Sequence, residues 1–195
     1  MGLFPLRAAL EAVMIDPEEV TAMTVICFGD SNTWGYDPRS WLADRYANPW
    51  PEHLAKCTGW EVINLGRNGQ EIQKEIPPCQ CDLLMILLGT NDLLQGNTPE
   101  QVCARMESLL KTISQPVLLI APPPMQRGEW VPDSSLIENV HRLCKDYAAL
   151  AARLHIPFCD PTNWNLPLCF DGVHFTEEAH LRFAENLAYF LKIQK

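Results

Sequence analysis

The sequence has little positive charge, no long apolar run and no zinc-type cysteine pattern. Lys and Arg total 15 against 24 Asp and Glu, which gives a net charge of −9 at pH 7. Nucleic acids and anionic membrane surfaces bind basic proteins, so neither is an expected partner. No apolar run approaches the roughly 18 residues that a membrane-spanning helix requires, so no membrane span is predicted.

The eight cysteines do not follow a metal-binding pattern. One residue separates Cys79 from Cys81, whereas zinc sites usually contain C-x-x-C pairs, so no metal is expected. Cys27 and Cys159 lie in apolar runs and are predicted to be buried free thiols. Free thiols persist in a reducing compartment, so we expect a cytoplasmic protein. A redox or metal role for Cys79 and Cys81 is the less favoured alternative.

Residues 1–22 differ from the rest of the chain. Arg7, Glu11 and Asp16 interrupt their apolar residues, and no small-residue cleavage site follows a continuous apolar core. A signal peptide is therefore not predicted. We expect residues 1–22 to form a short helical N-terminal extension, and residues 23–195 have a length that fits a single domain.

Five short segments are mostly apolar and do not alternate strictly between apolar and polar residues. This pattern is typical of strands in a parallel sheet that is covered by helices on both faces. The predicted strands are residues 24–28, 61–65, 83–88, 117–120 and 156–159.

Between and after these strands, apolar residues recur at helical spacing. Thr98 and Pro99 form an N-cap and first-turn pair for one of these helices. The order of elements predicts an α/β fold, a three-layer α/β/α sandwich around a five-stranded parallel sheet. Helices are predicted over residues 99–113, 134–155 and 176–191, with a weaker one over 51–57 and another short one between the second and third strands.

Polar residues follow the carboxyl ends of four of the predicted strands. Ser31 follows the first strand, Gly69 the second and Asn91 the third. Asp171 and His174 lie in a longer loop after the fifth. The carboxyl ends of parallel strands meet at one edge of a sheet, where ligands bind in such folds. Together these residue types are what acyl transfer through a serine requires.

The chemistry of acyl transfer assigns a role to each of these residues. Ser31 is the expected nucleophile, and His174 is the expected base that removes its proton. Asp171 is expected to orient the imidazole of His174 and to stabilise its cation. The backbone N–H groups of Ser31 and Gly69 and the side chain of Asn91 are expected to form the oxyanion hole.

Each cluster alone has a simpler explanation. Ser31 and its neighbours fit a strand-to-helix turn, and Asn91 fits a helix cap. Gly66 and Gly69 fit a phosphate-binding turn. His174 alone fits a surface or capping histidine. The occurrence of all four clusters, in order, at the carboxyl ends of predicted strands favours a catalytic site.

Four sequence blocks resemble those of the GDSL/SGNH hydrolase family and together span nearly the whole chain. FGDSNTWGYD resembles the block with the nucleophilic serine, here Ser31. INLGRNGQ and LLGTND resemble the blocks with the oxyanion-binding Gly and Asn, here Gly69 and Asn91. FDGVHFTEEAH resembles the D-x-x-H block, here Asp171 and His174.

The resemblance implies a flavodoxin-like fold and ester hydrolysis without a metal or cofactor. GDSNTWG is most similar to the arylesterase and acetylesterase branch of the family. That branch hydrolyses small acyl esters, can transfer acyl groups to acceptors other than water and commonly forms homo-oligomers. The substrate that it implies is a small, acetyl-like ester of an acetylated carbohydrate or an aryl alcohol.

Other functions stay open at this point. An acyltransferase or a lysophospholipase would use the same catalytic residues, although the short loops favour small acyl groups over long lipids. A non-catalytic ligand-binding domain on the same fold would also place polar residues at this edge. A flavin- or nucleotide-binding flavodoxin-like protein would share the order of elements.

The residues that follow Ser31 are candidates for the substrate pocket. Asn32, where the family name has Leu, and the aromatic residues Trp34 and Tyr36 are expected to line it. Packing against the core is the alternative for the aromatic residues, including Trp130 in a predicted loop.

Overall fold

Residues 23–42 and 44–193 are described by the computed structural model of this chain. The N-terminal extension predicted for residues 1–22 lies outside the described residues. None of the helices within the described ranges is long and apolar enough to cross a bilayer.

The sheet consists of five strands, which are β1 (Thr24–Gly29), β2 (Glu61–Asn64), β3 (Leu83–Leu87), β4 (Val117–Ile120) and β5 (Phe158–Cys159). All strand pairings are parallel, and the spatial order is β2-β1-β3-β4-β5. In register, Val25 of β1 lies opposite Val62 of β2 and Leu83 of β3. This is the flavodoxin-like order, and it confirms the predicted fold class.

The helices of the described residues are α1 (Ser31–Trp34), α2 (Trp50–Thr58), α3 (Thr90–Leu94), α4 (Pro99–Leu110), α5 (Ser135–Leu154) and α6 (Glu177–Ile193). Thr98 and Gln101 form a capping box in which each side chain bonds to the other residue's backbone N–H. This box and the proline at the first helical position fix the start of α4. Helix α5 ends at His155, which has a left-handed φ of 56°.

Successive residues of the buried strands point to opposite faces of the sheet and contribute to two apolar clusters. On one face, Ile86 and Leu119 pack with Met106 of α4 and Tyr147 of α5. Helices therefore cover both faces of the sheet, and the carboxyl ends of its strands meet at one edge. The cluster on the other face combines strand residues with residues of α2 and α6, including Val25, Met85, Leu118, Trp50 and Phe183.

The connections next to this edge differ from the prediction. Residues 65–82 are irregular, so the short helix predicted between β2 and β3 does not form. Glycines at 66 and 69 and prolines at 77 and 78 disfavour a helix there. Conversely, α1 and α3 were not predicted, because helices of 4 and 5 residues are too short to show a helical period.

Candidate active site

Helix α1 presents Ser31 immediately after the end of β1. Asp30 caps this helix, and its Oδ1 accepts a hydrogen bond from the N–H of Asn32 at 3.0 Å. A Cβ atom on Gly29 would lie only 2.1 Å from Thr33 Oγ1, so glycine is required where the strand meets the helix. The turn therefore places Ser31 at the first position of a helix.

Helix α3 begins at the equivalent place after β3, which is the neighbour of β1 in the sheet. Asn91 is the second residue of this helix. The strand order reverses between β1 and β3, and ligands of such folds bind in the crevice at that point. Ser31 and Asn91 therefore lie on the two sides of the crevice, and Gly69 lies in the loop after β2.

Two hydrogen bonds join Ser31, His174 and Asp171 in a row. Ser31 Oγ lies 2.9 Å from His174 Nε2, and His174 Nδ1 lies 2.7 Å from Asp171 Oδ2. Ser31 and His174 are 143 residues apart in sequence, so the fold brings them together. The three residues are buried, with 6%, 2% and 1% of their surfaces exposed.

The surroundings of Asp171 favour its ionised form. Its Oδ1 accepts the backbone N–H groups of Val173 and His174, each at 2.9 Å. Burial raises the pKa of Asp171, but these bonds and the bond from the His174 ring outweigh burial and hold the pKa below its usual value. Ionised Asp171 accepts the Nδ1–H of His174, so the lone pair of Nε2 faces Ser31.

The three residues predicted to form the oxyanion hole, Ser31, Gly69 and Asn91, line the same cavity. Gly69 lines the adjoining cavity with a φ of +69°, which residues with a Cβ rarely adopt. Its N–H donates to no acceptor within the described part of the chain. Asn91 Nδ2 donates one hydrogen to the carbonyl of Gln70 at 3.2 Å, which leaves its second amide hydrogen for a ligand. The N–H of Ser31 lies in the first turn of α1, where intrahelical acceptors are absent.

Asp92 connects the loop that carries Gly69 to the helices behind it. The side chain is fully buried, and its Oδ2 accepts the N–H of Ile72 at 3.1 Å. Its Oδ1 accepts a hydrogen bond from Arg105 of α4 at 2.9 Å. Asp92 therefore holds the loop after β2 against α3 and α4, next to Asn91.

A cavity of about 630 Å³ adjoins Ser31 and His174. This volume lies within the range of small-molecule sites. Tyr36 and Trp130 flank the His174 ring edge-to-face, at centroid distances of 4.8 and 5.0 Å. The remaining lining consists of three residues with amide side chains, Asn68, Asn91 and Gln95, together with Gly69 and Leu94.

Of the residues predicted for the substrate pocket, only Tyr36 lines this cavity. Asn32 is buried, and its side chain bonds to backbone groups of a distant loop. Trp34 lies under the guanidinium of Arg45, 5.7 Å from its ring centroid. Asn32 and Trp34 therefore do not line this cavity. For Asn32 the reason is local, because adjacent helical residues point about 100° apart and Asn32 turns away from the side that Ser31 faces.

Trp130 is a lining residue that the sequence did not distinguish from a packing residue. Its backbone N–H donates to the carbonyl of Asp171 at 3.0 Å, which brings its loop over the site. A Cβ on Gly128 would lie 2.4 Å from the carbonyl carbon of Asp171. Gly128 is the feature of the sequence that could have indicated this position of the loop, since a glycine often marks a close approach of two backbone segments. Asn68 and Gln95 were also missed, and no local pattern identifies them.

Within residues 23–42 and 44–193, no group of three His, Cys, Asp or Glu side chains is placed to hold a metal ion. All eight cysteines are free thiols. Cys27 and Cys159 are buried, as predicted.

The chain matches the model of the GDSL-like lipase/acylhydrolase family over residues 27–182. Among solved structures, an inhibitor-bound aryl esterase of M. smegmatis is similar at 25% identity with a TM-score of 0.74, over 89% of this chain and 100% of the other. Est24, a carbohydrate acetylesterase from Sinorhizobium meliloti, is 23% identical with a TM-score of 0.75, over 89% of this chain and 100% of the other. A member of the lipolytic protein G-D-S-L family from Veillonella parvula DSM 2008 is 21% identical with a TM-score of 0.69, over 86% and 97% of the two chains.

No curated protein matches this sequence. The structures below 25% identity show the fold alone. The family model, by contrast, spans most of the chain and includes all four sequence blocks that carry the resemblance. The chain therefore belongs to the GDSL-like lipase/acylhydrolase family, and it is a serine carboxylic ester hydrolase.

Proposed function

We propose that this chain hydrolyses small, acetyl-like esters through an acyl-enzyme intermediate on Ser31. The proposal is supported above all by the buried row of hydrogen bonds from Asp171 through His174 to Ser31, beside a cavity of small-ligand size. Such a row supplies a nucleophile, a base and a group that orients the base.

In the first step, Ser31 Oγ attacks the carbonyl carbon of the ester while His174 Nε2 takes the hydroxyl proton. Asp171 keeps the imidazole in the required tautomer and stabilises the imidazolium that forms. The carbonyl oxygen becomes an oxyanion, which is held by the N–H groups of Ser31 and Gly69 and by the Asn91 amide. One such donor typically contributes about 3 kcal/mol.

His174 then completes the turnover. The imidazolium gives its proton to the departing alcohol oxygen as the C–O bond breaks, and the acyl group stays on Ser31. His174 next takes a proton from water, whose oxygen attacks the acyl carbon. The proton returns to Ser31 as the carboxylic acid leaves, so each ester consumes one water molecule.

The cavity lining supports a small acyl group and an aromatic or polar alcohol. Tyr36 and Trp130 offer aromatic surface, while Asn68 and Gln95 offer amide donors and acceptors. These groups suit either an aryl ring or a sugar ring. An aryl esterase and a carbohydrate acetylesterase are among the structures that share this fold, and the same two classes are proposed for this chain.

Replacing Ser31 with Ala tests the nucleophile directly. We expect hydrolysis of p-nitrophenyl acetate to fall by about 10³-fold or more and labelling by a fluorophosphonate to disappear. Circular dichroism and thermal unfolding should match those of the wild type, since Ala suits a helix. Ser108→Ala removes an exposed hydroxyl on α4 and is the matched control. Full hydrolysis by folded Ser31→Ala would contradict the proposal.

A series of esters tests the substrate class. We expect kcat/KM to be highest for acetyl among p-nitrophenyl esters of increasing acyl length, and acetylated sugars extend the series to carbohydrate alcohols. A maximum at long acyl chains would favour a lysophospholipase instead. Faster transfer to an added alcohol than to water would favour an acyltransferase.

A cytoplasmic location is also proposed, because a chain with eight free thiols is suited to a reducing compartment. The homo-oligomer implied by the family resemblance stays a prediction. Light scattering during size-exclusion chromatography would measure the mass of the assembly.

A further inference from the structure

Asn32 directly follows Ser31 and makes two hydrogen bonds to the loop that carries His174. Its Nδ2 donates to the carbonyl of Val173 at 3.1 Å, and its Oδ1 accepts the N–H of Phe175 at 2.9 Å. The two partners are the residues on either side of His174. Only 3% of Asn32 is exposed, so these bonds are sheltered from competing water.

The loop around His174 is also held by contacts within itself. The N–H of His174 donates to Asp171 Oδ1 at 2.9 Å, and its carbonyl accepts the N–H of Cys169 at 2.8 Å. These contacts fix the shape of the loop but not its position relative to Ser31. The N–H groups of Gln126 and Trp130 hold the loop from another side, through the carbonyls of Gly172 and Asp171 at 2.9 and 3.0 Å. Asn32 links the loop directly to Ser31, because it adjoins Ser31 in the chain and bonds to residues 141 and 143 positions away.

We propose that Asn32 is a positioning residue whose amide clamps the backbone on both sides of His174 and holds Nε2 at hydrogen-bonding distance from Ser31. This role rests on the proposed function, in which His174 takes the Ser31 proton. Displacing a catalytic group by about 1 Å can cost about 10²-fold in rate, so the clamp has a direct effect on catalysis. Leu, which the family name has at this position, has no polar side-chain atom and forms neither bond.

A purely structural role for Asn32 predicts a different outcome. Both Asn32 bonds are buried, so their loss would lower stability in either case. In a purely structural role, however, kcat of the folded fraction would stay at the wild-type value. The experiment must therefore measure catalysis per folded molecule, and it must show that the effect passes through His174.

The variant Asn32→Leu keeps the approximate volume and removes both bonds. For the folded variant we expect kcat on p-nitrophenyl acetate to fall about 100-fold, with KM within about twofold of wild type, because Asn32 does not line the cavity. Asn32→Ala removes the same two bonds without added bulk, and it replaces Asn32→Leu in the experiment if the Leu variant does not fold. Asn186→Leu is the control, since Asn186 Nδ2 donates to the carbonyl of Arg182 at 2.9 Å within α6, and its kcat should stay unchanged.

Chemical rescue shows whether the effect passes through His174. In His174→Ala, free imidazole serves as the base, and the position of the loop no longer matters. We expect Asn32→Leu in that background to have an imidazole-supported rate within about twofold of His174→Ala alone. A further drop of about 100-fold would assign the effect to Ser31 or to the fold as a whole and would overturn the positioning role.

The two hypotheses fail in distinguishable ways. Wild-type activity in folded His174→Ala would overturn the proposed function itself. Loss of activity in His174→Ala, together with wild-type kcat in Asn32→Leu, would overturn the positioning role and leave the proposed function intact.

Discussion

His174 and His180 lie six residues apart and are equally buried, with 2% and 0% of their surfaces exposed. Each imidazole has two aromatic neighbours in edge-to-face contact, at centroid distances of 4.8 to 5.2 Å. One ring adjoins the cavity, and the other lies in the core against α2. Burial and aromatic contact therefore do not distinguish a reactive histidine from a structural one.

The partner of Nδ1 does distinguish them. His174 Nδ1 donates to Asp171, so Nε2 is free to accept the proton of Ser31. His180 Nδ1 instead accepts the N–H of Trp50 at 3.2 Å. The hydrogen of the His180 ring therefore lies on Nε2, which has no hydrogen-bond partner among the described residues. The two histidines hold opposite tautomers.

The difference in hydrogen-bond partners goes together with a difference in charge, because no carboxylate of residues 23–42 or 44–193 is bonded to the His180 ring. Burial, with the nearby charges of His53 and Arg45, lowers the pKa of His180 to about 3. His180 therefore stays neutral over the pH range in which the protein would work. A carboxylate at Nδ1 is the feature that turns a buried imidazole into a base that can become positive during a reaction.

The largest effect is expected from making His174 resemble His180. In Asp171→Asn, the new amide NH₂ donates to Nδ1 and moves the imidazole hydrogen to Nε2, which then cannot take the Ser31 proton. We expect kcat on p-nitrophenyl acetate to fall about 10⁴-fold with the fold retained. Asp82→Asn is the control, since Asp82 also accepts a backbone N–H, at 2.8 Å, but at the amino end of the sheet. A loss of less than about tenfold would show that the tautomer does not limit the rate.

An intermediate effect is expected on the pH dependence of stability. The pKa of His180 is lowered from 6.5 to about 3, so its stabilising contribution is complete above pH 6.5 and is lost as the pH falls towards 3. Between about pH 7.5 and about pH 5 this loss is about 2 kcal/mol. His180→Gln takes up no proton, so its free energy of unfolding should fall by about 2 kcal/mol less than that of the wild type over this interval.

Urea unfolding at the two pH values measures this difference. His141→Gln replaces an exposed histidine on α5 and should follow the wild type. If His180→Gln and the wild type lost equal stability, His180 would not be the group that takes up the proton.

The smallest effect is expected from the aromatic neighbours of the two histidines. An edge-to-face pair contributes about 1 kcal/mol, so Tyr36→Leu should lower kcat/KM about fivefold with little change in the free energy of unfolding. Tyr46→Leu, beside His180, should lower the free energy of unfolding and leave kcat/KM nearly unchanged, because it removes a buried ring and the hydroxyl that accepts a hydrogen bond from Arg39 at 3.3 Å. If Tyr46→Leu lowered activity and Tyr36→Leu did not, the expectation that Tyr36 affects catalysis and Tyr46 affects stability would be wrong.

Local patterns made much of the fold and of the candidate site predictable. The residues of β3 and β4 are buried throughout, and their apolar runs predicted the parallel sheet and its carboxyl edge. Ser31 and Asn91 then followed from their positions after strands. Asp171 and His174 are three residues apart, so the turn between them follows from spacing alone.

Contacts between distant segments were not predictable in this way. The amide of Asn32 has the same chemistry whether it faces a cavity or a loop 141 residues away, and no local pattern separates the two. Trp130 is a similar case, because its place over His174 depends on the approach of Gly128 to Asp171. Both positions result from how loops from different strands fit together at the edge of the sheet.

The strand order also has a consequence for refolding. The contact between Ser31 and His174 closes a loop of 143 residues, and it requires β1 to pair between β2 and β3. Such long-range parallel pairings form slowly, because the entropy of loop closure is lost before they add stability. Helical circular dichroism should therefore recover before catalysis, and hydrolytic activity should return in the slowest kinetic phase, when the loop that carries His174 docks onto α1.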